Sequence, residues 1–358
     1  MADFTTNPSG LDPAAVADFH DTLKRSKRII AVIGAGLSAS SGLAVFRGTS
    51  GLWKNQDVMQ VASPAGFRHD PGIVWQFYTY RRQEALHVEP NPAHYALAEL
   101  ARRVPGFVAL TQNVNNLNPR ANHPLSQMKE LHGNLFTLSC VDEDGCGYKE
   151  RDNFEECLTP ALDPSKDERE TMGAIDSDNK PRASPLLLAG IARKHAQILG
   201  DNFQANTPTT REMAALKPPD KEATAPVAQV RLSSGLAKED LPQCPKCKNG
   251  ILRPGVVWFG EPLPVDIVKE IEAIFEDPEP IDLCLTIGTS SRVWPAAGYS
   301  DMARKKGARI AVINTRAADA KDVRPDRDWV FVGDAAVLLP ELLKPIIGEA
   351  QEWGGAME

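Results

Sequence analysis

Short apolar runs alternate along this chain with stretches that carry the apolar spacing of helices. Five runs predict buried strands, at 28–33, 107–111, 281–287, 309–313 and 329–332. Helical spacing predicts three helices, at 12–27, 72–86 and 93–103. Because alternating strands and helices are typical of parallel pairing, the pattern predicts an α/β fold, with an open parallel sheet and helices on both faces.

The predicted strands end in small or polar residues. Gln112 and Asn113 follow one strand, and later strands run into residues 288–290, Asn314 and Asp334. Ligands of open parallel sheets bind at the carboxyl ends of the strands. We therefore expect these endings to surround one ligand, a dinucleotide.

A glycine-rich turn follows the first predicted strand. It reads GAGLSASSG from Gly34 to Gly42, and Phe46 and Arg47 come soon after it. Between a buried strand and a helix, such a turn can present backbone N–H groups to a pyrophosphate. The third glycine of the dehydrogenase fingerprint is missing, so the turn predicts a dinucleotide site without predicting hydride transfer.

The middle of the chain has a different composition. Residues 163–240 are rich in Pro, Ser, Thr, Asp and Lys, which predicts a long, partly disordered insertion. A helix predicted at 185–200 is either a docking element or a cover for a local apolar patch. We expect a large dinucleotide-binding domain built from 1–135 and 251–358, and a small domain, 136–250, that carries the insertion.

The charge of the chain limits its partners. The formal net charge is −7, which argues against nucleic acid as a direct partner but leaves a basic protein open. No apolar run approaches the ~18 residues of a membrane span, so no membrane partner is expected. The acidic start of the chain is unlike a secretory or transit peptide. A cytoplasmic or nuclear location is the expectation, with a mitochondrial one left open.

Four of the six cysteines form two close pairs. Cys244 and Cys247 have the C-x-x-C spacing of a zinc knuckle, whereas Cys140 and Cys146 are more widely spaced. We expect one closed, structural zinc site with four thiolates, since a long excursion between ligands adds little closure entropy. The alternative is that Cys140 is a buried strand residue and that only one pair binds metal.

Three further segments carry candidate chemistry, and each also has a purely structural interpretation. His132 follows the polar strand end at 111–113 and can serve as a base near a nucleotide ribose, or as a structural histidine. Tyr78 and Arg81 share one helix face and can form a carboxylate site or an ordinary surface pair. Residues 253–261 can be a strand edge that accepts a peptide, or a core strand that ends in a loop.

Taken in order, these segments resemble the motifs of the sirtuins, the NAD-dependent protein-lysine deacylases. The similar motifs cover nearly the whole chain outside the insertion: GAGLSASSG, FRG, GLW, EPNPAHYALAEL, TQNV, LHG, the paired cysteines, LRPGVVWFGE, GTSSRVWPAAG and INTR. The resemblance implies a Rossmann-like domain, a small zinc-binding module, NAD as co-substrate and structural zinc. It also implies acyl-lysine peptides or proteins as partners, among them histones or metabolic enzymes.

The resemblance assigns a role to each matching residue. NAD would be held by Gly34, Ala35, Gly36, Ser38, Phe46, Arg47, Gln112, Gly288, Ser290, Asn314 and Asp334. The catalytic set would be His132 as the general base, with Gln112, Asn113 and Asn115 in the nicotinamide and ribose pocket. Substrate backbone would pair with Val256, Phe259, Gly260 and Glu261. Zinc would be bound by Cys140, Cys146, Cys244 and Cys247.

The mechanism that the resemblance implies consumes NAD. The acyl-lysine carbonyl oxygen attacks C1′ of the nicotinamide ribose and expels nicotinamide. His132 then deprotonates a ribose hydroxyl, which attacks the resulting imidate. With one water consumed, the products are nicotinamide, free lysine and O-acyl-ADP-ribose, and zinc takes no part.

Tyr78 and Arg81 resemble the marker pair of the class III branch of sirtuins. Members of that branch remove succinyl, malonyl and glutaryl groups from lysine. By this resemblance Arg81 would bind the distal carboxylate, Tyr78 would orient it, and acetyl-lysine would be a weaker substrate.

The chain departs from the family pattern at two positions. Where QNIDxLH is usual it reads QNVNNLN, so Asn115 replaces the acidic residue and Asn118 replaces the histidine. An asparagine oxygen can accept the nicotinamide amide without a negative charge, so slower nicotinamide cleavage is expected, and Asn115→Asp should raise turnover. Two alternatives remain open: a weakly catalytic protein that binds NAD and acyl-lysine, and a mono-ADP-ribosyltransferase.

Overall fold

A computed structural model describes most of the chain. The described segments are 11–45, 52–53, 56–142, 145–163, 234–320 and 323–353. Phe46, Arg47 and the helix predicted at 185–200 lie outside the described residues, as does most of the predicted insertion. Within the described segments, no helix is long and apolar enough to cross a membrane.

The strands of the described segments form one large sheet and two small ones. Their bounds are β1 (Arg28–Ile33), β2 (Leu52–Trp53), β3 (Gln56–Asp57), β4 (Gly106–Thr111), β5 (Met128–Glu130), β6 (Gly133–Cys140), β7 (Lys149–Glu150), β8 (Leu252–Val256), β9 (Leu283–Ile287), β10 (Arg309–Asn314) and β11 (Trp329–Val332). The large sheet has the order β11-β10-β9-β1-β4-β5, and every pair in it is parallel. The predicted open parallel sheet is confirmed.

Several helices of the same segments begin at sequence signals of helix starts. The helix bounds are α1 (Pro13–Arg25), α2 (Val58–Val61), α3 (Pro64–His69), α4 (Pro71–Leu86), α5 (Pro92–Arg103), α6 (Leu117–Arg120), α7 (Val265–Glu276), α8 (Tyr299–Lys305) and α9 (Ala335–Ile347). Proline opens α1, α3, α4 and α5, where its missing N–H has no intrahelical acceptor. Just before these prolines, Asp12, Ser63, Asp70 and Asn91 accept hydrogen bonds from the first turn.

Helices cover both faces of the large sheet, and the side chains of β1 pack against helices on each face. Its residues Ile29 and Ile33 pack in a core with side chains of α1, α5 and α9. Its residues Ile30 and Val32 pack on the opposite face with side chains of α7 and α8. Successive strand residues point to opposite faces, so an uninterrupted apolar run is what a strand covered on both sides requires.

A small antiparallel sheet, in the order β7-β6-β8, lies next to α4. The indole N–H of Trp75 in α4 donates to the carbonyl of Leu252 in β8 at 2.9 Å. The buried guanidinium of Arg82 donates to the carbonyls of Leu135 and Asn153, at 2.6 and 2.8 Å. Helix α4 therefore holds the small sheet through buried hydrogen bonds as well as apolar contacts.

Several details differ from the pattern-based expectation, and helices α7 and α9 were not predicted. The strand predicted at 281–287 begins at Leu283. Before it, the Asp282 carboxylate accepts the N–H groups of Lys27 and Arg28, at 2.7 and 2.9 Å. Strand β5 was not predicted, because three residues are too few to show periodicity.

Candidate active site

A cavity of 1020 Å³ opens at the carboxyl ends of β1, β4, β9 and β10. It brings together most residues predicted to bind or react: Gly34, Ala35, Gly36, Ser38, Tyr78, Arg81, Gln112, Asn113, Asn115, His132, Val256, Phe259, Gly260, Glu261, Gly288, Ser290 and Asn314. Phe46 and Arg47 lie outside the described residues. The cavity is therefore where the predicted nucleotide and substrate sites meet.

Gly34 and Gly36 let the turn after β1 pack directly against the turn after β9. A Cβ atom on Gly36 would lie 2.6 Å from the Cα of Gly288, and one on Gly34 would lie 2.7 Å from its carbonyl oxygen. The N–H groups of Gly34 and Gly36 donate to the carbonyls of Ile287 and Gly288, at 2.9 and 2.8 Å. The expectation that N–H groups of this turn face a pyrophosphate is thus wrong for these two, which join the two turns instead.

His132 is held in one orientation by the end of β4. Its Nδ1 lies 3.1 Å from the carbonyl oxygen of Gln112. That carbonyl can only accept, so Nδ1 carries the proton and Nε2 is the basic nitrogen of the neutral ring. Burial lowers the pKa of His132, with the Gln112 carbonyl opposing that shift. The imidazole is consequently neutral at neutral pH.

The polar side chains around Ser38 form the floor of the cavity. Asn113 donates through Nδ2 to the carbonyl of Gly34 at 3.1 Å, and Asn115 donates through Nδ2 to the Ser38 hydroxyl at 2.8 Å. Asn118, at the second departure from the family pattern, is buried but does not line the cavity. Of the two departures, only Asn115 faces the site.

Thr289 links the carboxyl ends of β4 and β10. Its hydroxyl accepts from Gln112 at 3.2 Å, and its carbonyl accepts from Asn314 at 2.9 Å. Asp334, in contrast, does not line the cavity. Its carboxylate caps α9 by accepting the N–H of Ala336 at 2.9 Å and also accepts from the Ser40 hydroxyl. The structure thus places the Asp334 carboxylate, predicted to help hold NAD, in a helix cap.

Tyr78 and Arg81 line the opposite part of the same cavity. Tyr78 is buried, and desolvation raises the pKa of its phenol, so the phenol is neutral. Arg81 forms an ion pair with Glu84, one turn along α4, at 3.4 Å. Ala62, a small buried residue, lies in the lining as well. This end of the cavity offers a phenol and a guanidinium on an otherwise apolar wall.

The loop after β8 forms the wall next to Tyr78. Gly260 in this loop has a φ of +89°, a left-handed conformation that glycine adopts without strain. The N–H of Phe259 donates to the carbonyl of Ala62, and the N–H of Glu261 to that of Trp258, both at 3.0 Å. Two of the N–H groups in the predicted peptide-binding segment are therefore used within the protein.

The four paired cysteines come together beside β6. The Sγ atoms of Cys140 and Cys247 are 3.8 Å apart, those of Cys146 and Cys244 are 3.6 Å apart, and all four lie within 4.8 Å of one another. Four sulfur atoms bound tetrahedrally to zinc at about 2.3 Å are about 3.8 Å from one another. The cluster fits zinc, and the alternative with a single metal-binding pair is not supported.

Several residues of the site were not singled out from the sequence. Asn91 and His94 form a capping box at the start of α5 and support the turn that carries Ser38. Their spacing, three residues apart around a proline, is a recognisable signal of a helix start. Thr289 and Arg253 had no signal beyond membership of longer motifs. The Thr289 contact joins segments that are distant in sequence, whereas Arg253 pairs with Glu261 only eight residues away.

A parallel sheet whose strand ends meet a histidine-containing cavity, next to a four-cysteine module, defines an enzyme class that uses a dinucleotide as substrate. Residues 34–168 and 219–295 match the model of the Sir2 family, and the chain belongs to that family. It is 38% identical over 335 residues to an NAD-dependent protein deacylase of Candida albicans, covering 93% of this chain and 98% of that protein.

Two further comparisons agree with this assignment. The chain is 33% identical over 337 residues to the mitochondrial NAD-dependent protein deacylase sirtuin-5 of Danio rerio, covering 93% and 87% of the two chains. A solved Sir2 homologue in complex with NAD superposes with a TM-score of 0.60 at 26% identity, covering 92% of this chain and 93% of that one. The protein is an NAD-dependent protein deacylase.

Proposed function

We propose that this enzyme removes acidic acyl groups, namely succinyl, malonyl or glutaryl, from protein lysines, and acetyl groups more slowly. The supporting observation is that Tyr78 and Arg81 line the same cavity as His132. A guanidinium presents a planar fork of donors to a carboxylate, and a neutral phenol can donate one further hydrogen bond. Histones or metabolic enzymes would be the protein substrates.

Arg81 would bind such a carboxylate by exchanging Glu84 for the substrate as its partner. The side chains of Arg81 and Glu84 are 16% and 25% exposed, so the pair is half-buried and weakly screened. Entry of the acyl carboxylate would draw the guanidinium from Glu84 toward the substrate.

His132 would act as the general base through Nε2. Bound NAD supplies the electrophilic C1′ and the nicotinamide leaving group. The Gln112 carbonyl holds the Nδ1 proton, so Nε2 is free to accept the proton of a ribose hydroxyl. Because burial keeps the imidazole neutral, we expect the base form to persist below pH 6.5. Cys140, Cys146, Cys244 and Cys247 would hold zinc for structure alone.

A substrate peptide would extend along the loop after β8. The N–H groups of Phe259 and Glu261 are already donated, whereas Gly260 is exposed, with open space beside its Cα. We expect the peptide to bond the N–H of Gly260 and the carbonyls of its neighbours. Pairing along this loop would orient the acyl-lysine toward Arg81.

The experiment is a panel of acetyl-, malonyl-, succinyl- and glutaryl-lysine peptides assayed with NAD for the wild type, Arg81→Met and Arg81→Lys. We expect Arg81→Met to lower kcat/KM on succinyl-lysine by about 100-fold, and on acetyl-lysine by less than threefold. Arg81→Lys keeps the charge but loses the fork, so it should retain an intermediate succinyl activity. An equal loss on both substrates in Arg81→Met would rule out the acidic-acyl proposal.

Asn115 favours a second candidate function, in which the protein binds NAD and acyl-lysine with little turnover. Asn115 carries no charge where the family pattern has an acid, and its Nδ2 is engaged with Ser38. Nicotinamide release during incubation with NAD and a succinyl peptide separates this candidate from the deacylase. Mass analysis of the products separates both from ADP-ribosyl transfer, which would leave ADP-ribose on the protein.

A further inference from the structure

The hydroxyl oxygen of Ser38 is surrounded by hydrogen-bond donors. Asn115 Nδ2 lies 2.8 Å from it, His94 Nε2 lies 3.3 Å from it, and Asn113 Nδ2 makes a longer contact at 3.5 Å. A serine hydroxyl has two acceptor sites and one donor proton. The direction of the Ser38 O–H therefore depends on whether each neighbour acts as a donor. The contacts of Asn115 and His94 determine this for both.

The orientation of the Asn115 amide is determined by Leu117. The backbone N–H of Leu117 donates to Asn115 Oδ1 at 3.1 Å. Turning the amide over would place its NH₂ group against that N–H and lose the bond. Oδ1 therefore faces Leu117, and Nδ2 must face Ser38 as a donor.

The proton of His94 is located by Asn91. The backbone N–H of Asn91 donates to His94 Nδ1 at 3.2 Å, so Nδ1 is unprotonated. His94 is fully buried, and burial lowers the pKa of its ring to about 3, which keeps it neutral. The single ring proton is then on Nε2, which faces Ser38 as a donor.

The Ser38 proton has no acceptor among the residues that the structure describes. Asn115 and His94 fill both acceptor sites of the hydroxyl, and neither presents an oxygen or a lone pair to it. The carbonyl of Gly34, in the same turn, already accepts from Leu37 N and Asn113 Nδ2, both at 3.1 Å. Among the described residues, no oxygen accepts a hydrogen bond from Ser38, which lines the cavity.

We propose that Ser38 donates its hydroxyl proton to an acceptor oxygen on the nicotinamide-riboside half of NAD, and that Asn115 sets this direction. The inference rests on NAD being bound in this cavity. An aspartate at position 115 would still accept from Leu117 N, but its second oxygen would take the Ser38 proton. Relative to aspartate, Asn115 therefore has two effects: it removes a negative charge, and it leaves the Ser38 proton available to NAD.

The test is a double-mutant cycle on NAD binding, measured by calorimetry without acyl peptide so that no turnover occurs. The proteins are wild type, Ser38→Ala, Asn115→Asp and the double variant. Losing a neutral hydrogen bond to the ligand should raise the Kd for NAD about tenfold in the wild-type background. In the Asn115→Asp background the serine proton is already taken, so Ser38→Ala should change the Kd less than twofold.

ADP-ribose, which lacks nicotinamide, locates the acceptor oxygen. If Ser38→Ala weakens NAD but not ADP-ribose, the acceptor lies on the nicotinamide carboxamide; if it weakens both, the acceptor lies on the ribose. Ser38→Cys, with a weak S–H donor, should lie between wild type and Ser38→Ala and serves if the alanine variant unfolds. An equal effect of Ser38→Ala in both backgrounds overturns the proposal. Failure of the wild type to bind NAD would overturn the deacylase assignment instead, and this inference with it.

Discussion

The guanidinium of Arg253 and the carboxylate of Glu261 form a two-point ion pair, 2.8 Å at each contact, that closes the loop after β8. The backbone N–H of Trp258 donates to the same carboxylate at 2.8 Å, and the guanidinium lies 3.7 Å above the Trp258 ring. The side chains of the pair are only 15% and 20% exposed. The conformation of the loop after β8 therefore depends on this pair.

Glu261→Gln should weaken peptide binding without affecting NAD. The amide keeps the size of the side chain but loses the charge-assisted bonds to Arg253, so the loop loosens. We expect the KM for acyl peptide to rise about fivefold on succinyl and acetyl substrates alike, with the KM for NAD unchanged. Steady-state kinetics measures both constants. Glu349→Gln, in a surface pair with Lys344, is the control and should change neither.

Arg82 and Arg81 are adjacent in sequence but should have different roles. Arg82 is 1% exposed and donates to the carbonyls of Leu135, Asn153 and Glu155. Arg82→Met would leave buried carbonyls unpaired and should lower the free energy of unfolding by about 3 kcal/mol, as measured by urea denaturation. Arg81→Met should lower it by less than about 1 kcal/mol. Similar losses in the two variants would contradict this division of roles.

The sequence predicted the fold well where an apolar run is buried on both sides. Strand β1 lies between two layers of helices, so its run has no polar interruption and its bounds were predicted without error. Strand β5 has three residues, too few for a period, and was missed. The pattern thus predicted the strands of four or more residues in the large sheet and missed its three-residue edge strand, β5.

For the site, the sequence predicted residue identities better than their contacts. It predicted that His132 and Arg81 belong to one site, and the structure places both on one cavity. It did not predict that Gly36 is needed for contact with Gly288, or that Asp334 caps α9. These contacts join segments that are far apart in sequence, and local spacing carries no information about them.

Zinc should bind at a ratio of about one ion per chain and be lost with any one of its four thiolates. Gly250 also contributes, since a Cβ atom there would lie 3.0 Å from the Sγ of Cys140. Metal analysis of Cys244→Ser should find less than about a tenth of the zinc of the wild type, with a lower midpoint of thermal unfolding. Cys157→Ser, at a cysteine outside the cluster, is the control. Full zinc content in Cys244→Ser would contradict the four-thiolate site.

Stability should fall as the pH drops below 6.5, because buried histidines, His94 and His123 above all, must stay neutral in the folded protein. Burial lowers the pKa of His94 to about 3 and that of His123 to about 4, and Arg102 adds to the shift of His123. The unfolded chain, with histidine pKa values near 6.5, binds more protons below that pH, so folding stability is complete above it and is lost as the pH falls toward the folded values.

Between pH 7 and pH 5.5, His94 and His123 together should lower the free energy of unfolding by about 2 kcal/mol, roughly half from each. Carboxylates with lowered pKa values, such as Asp328, lose their contribution only below about pH 4 and do not affect this interval. Urea denaturation at the two pH values measures the decrease. His123→Gln should remove about half of it, since one titrating group is gone. A decrease of the same size in wild type and His123→Gln would show that other groups cause the loss.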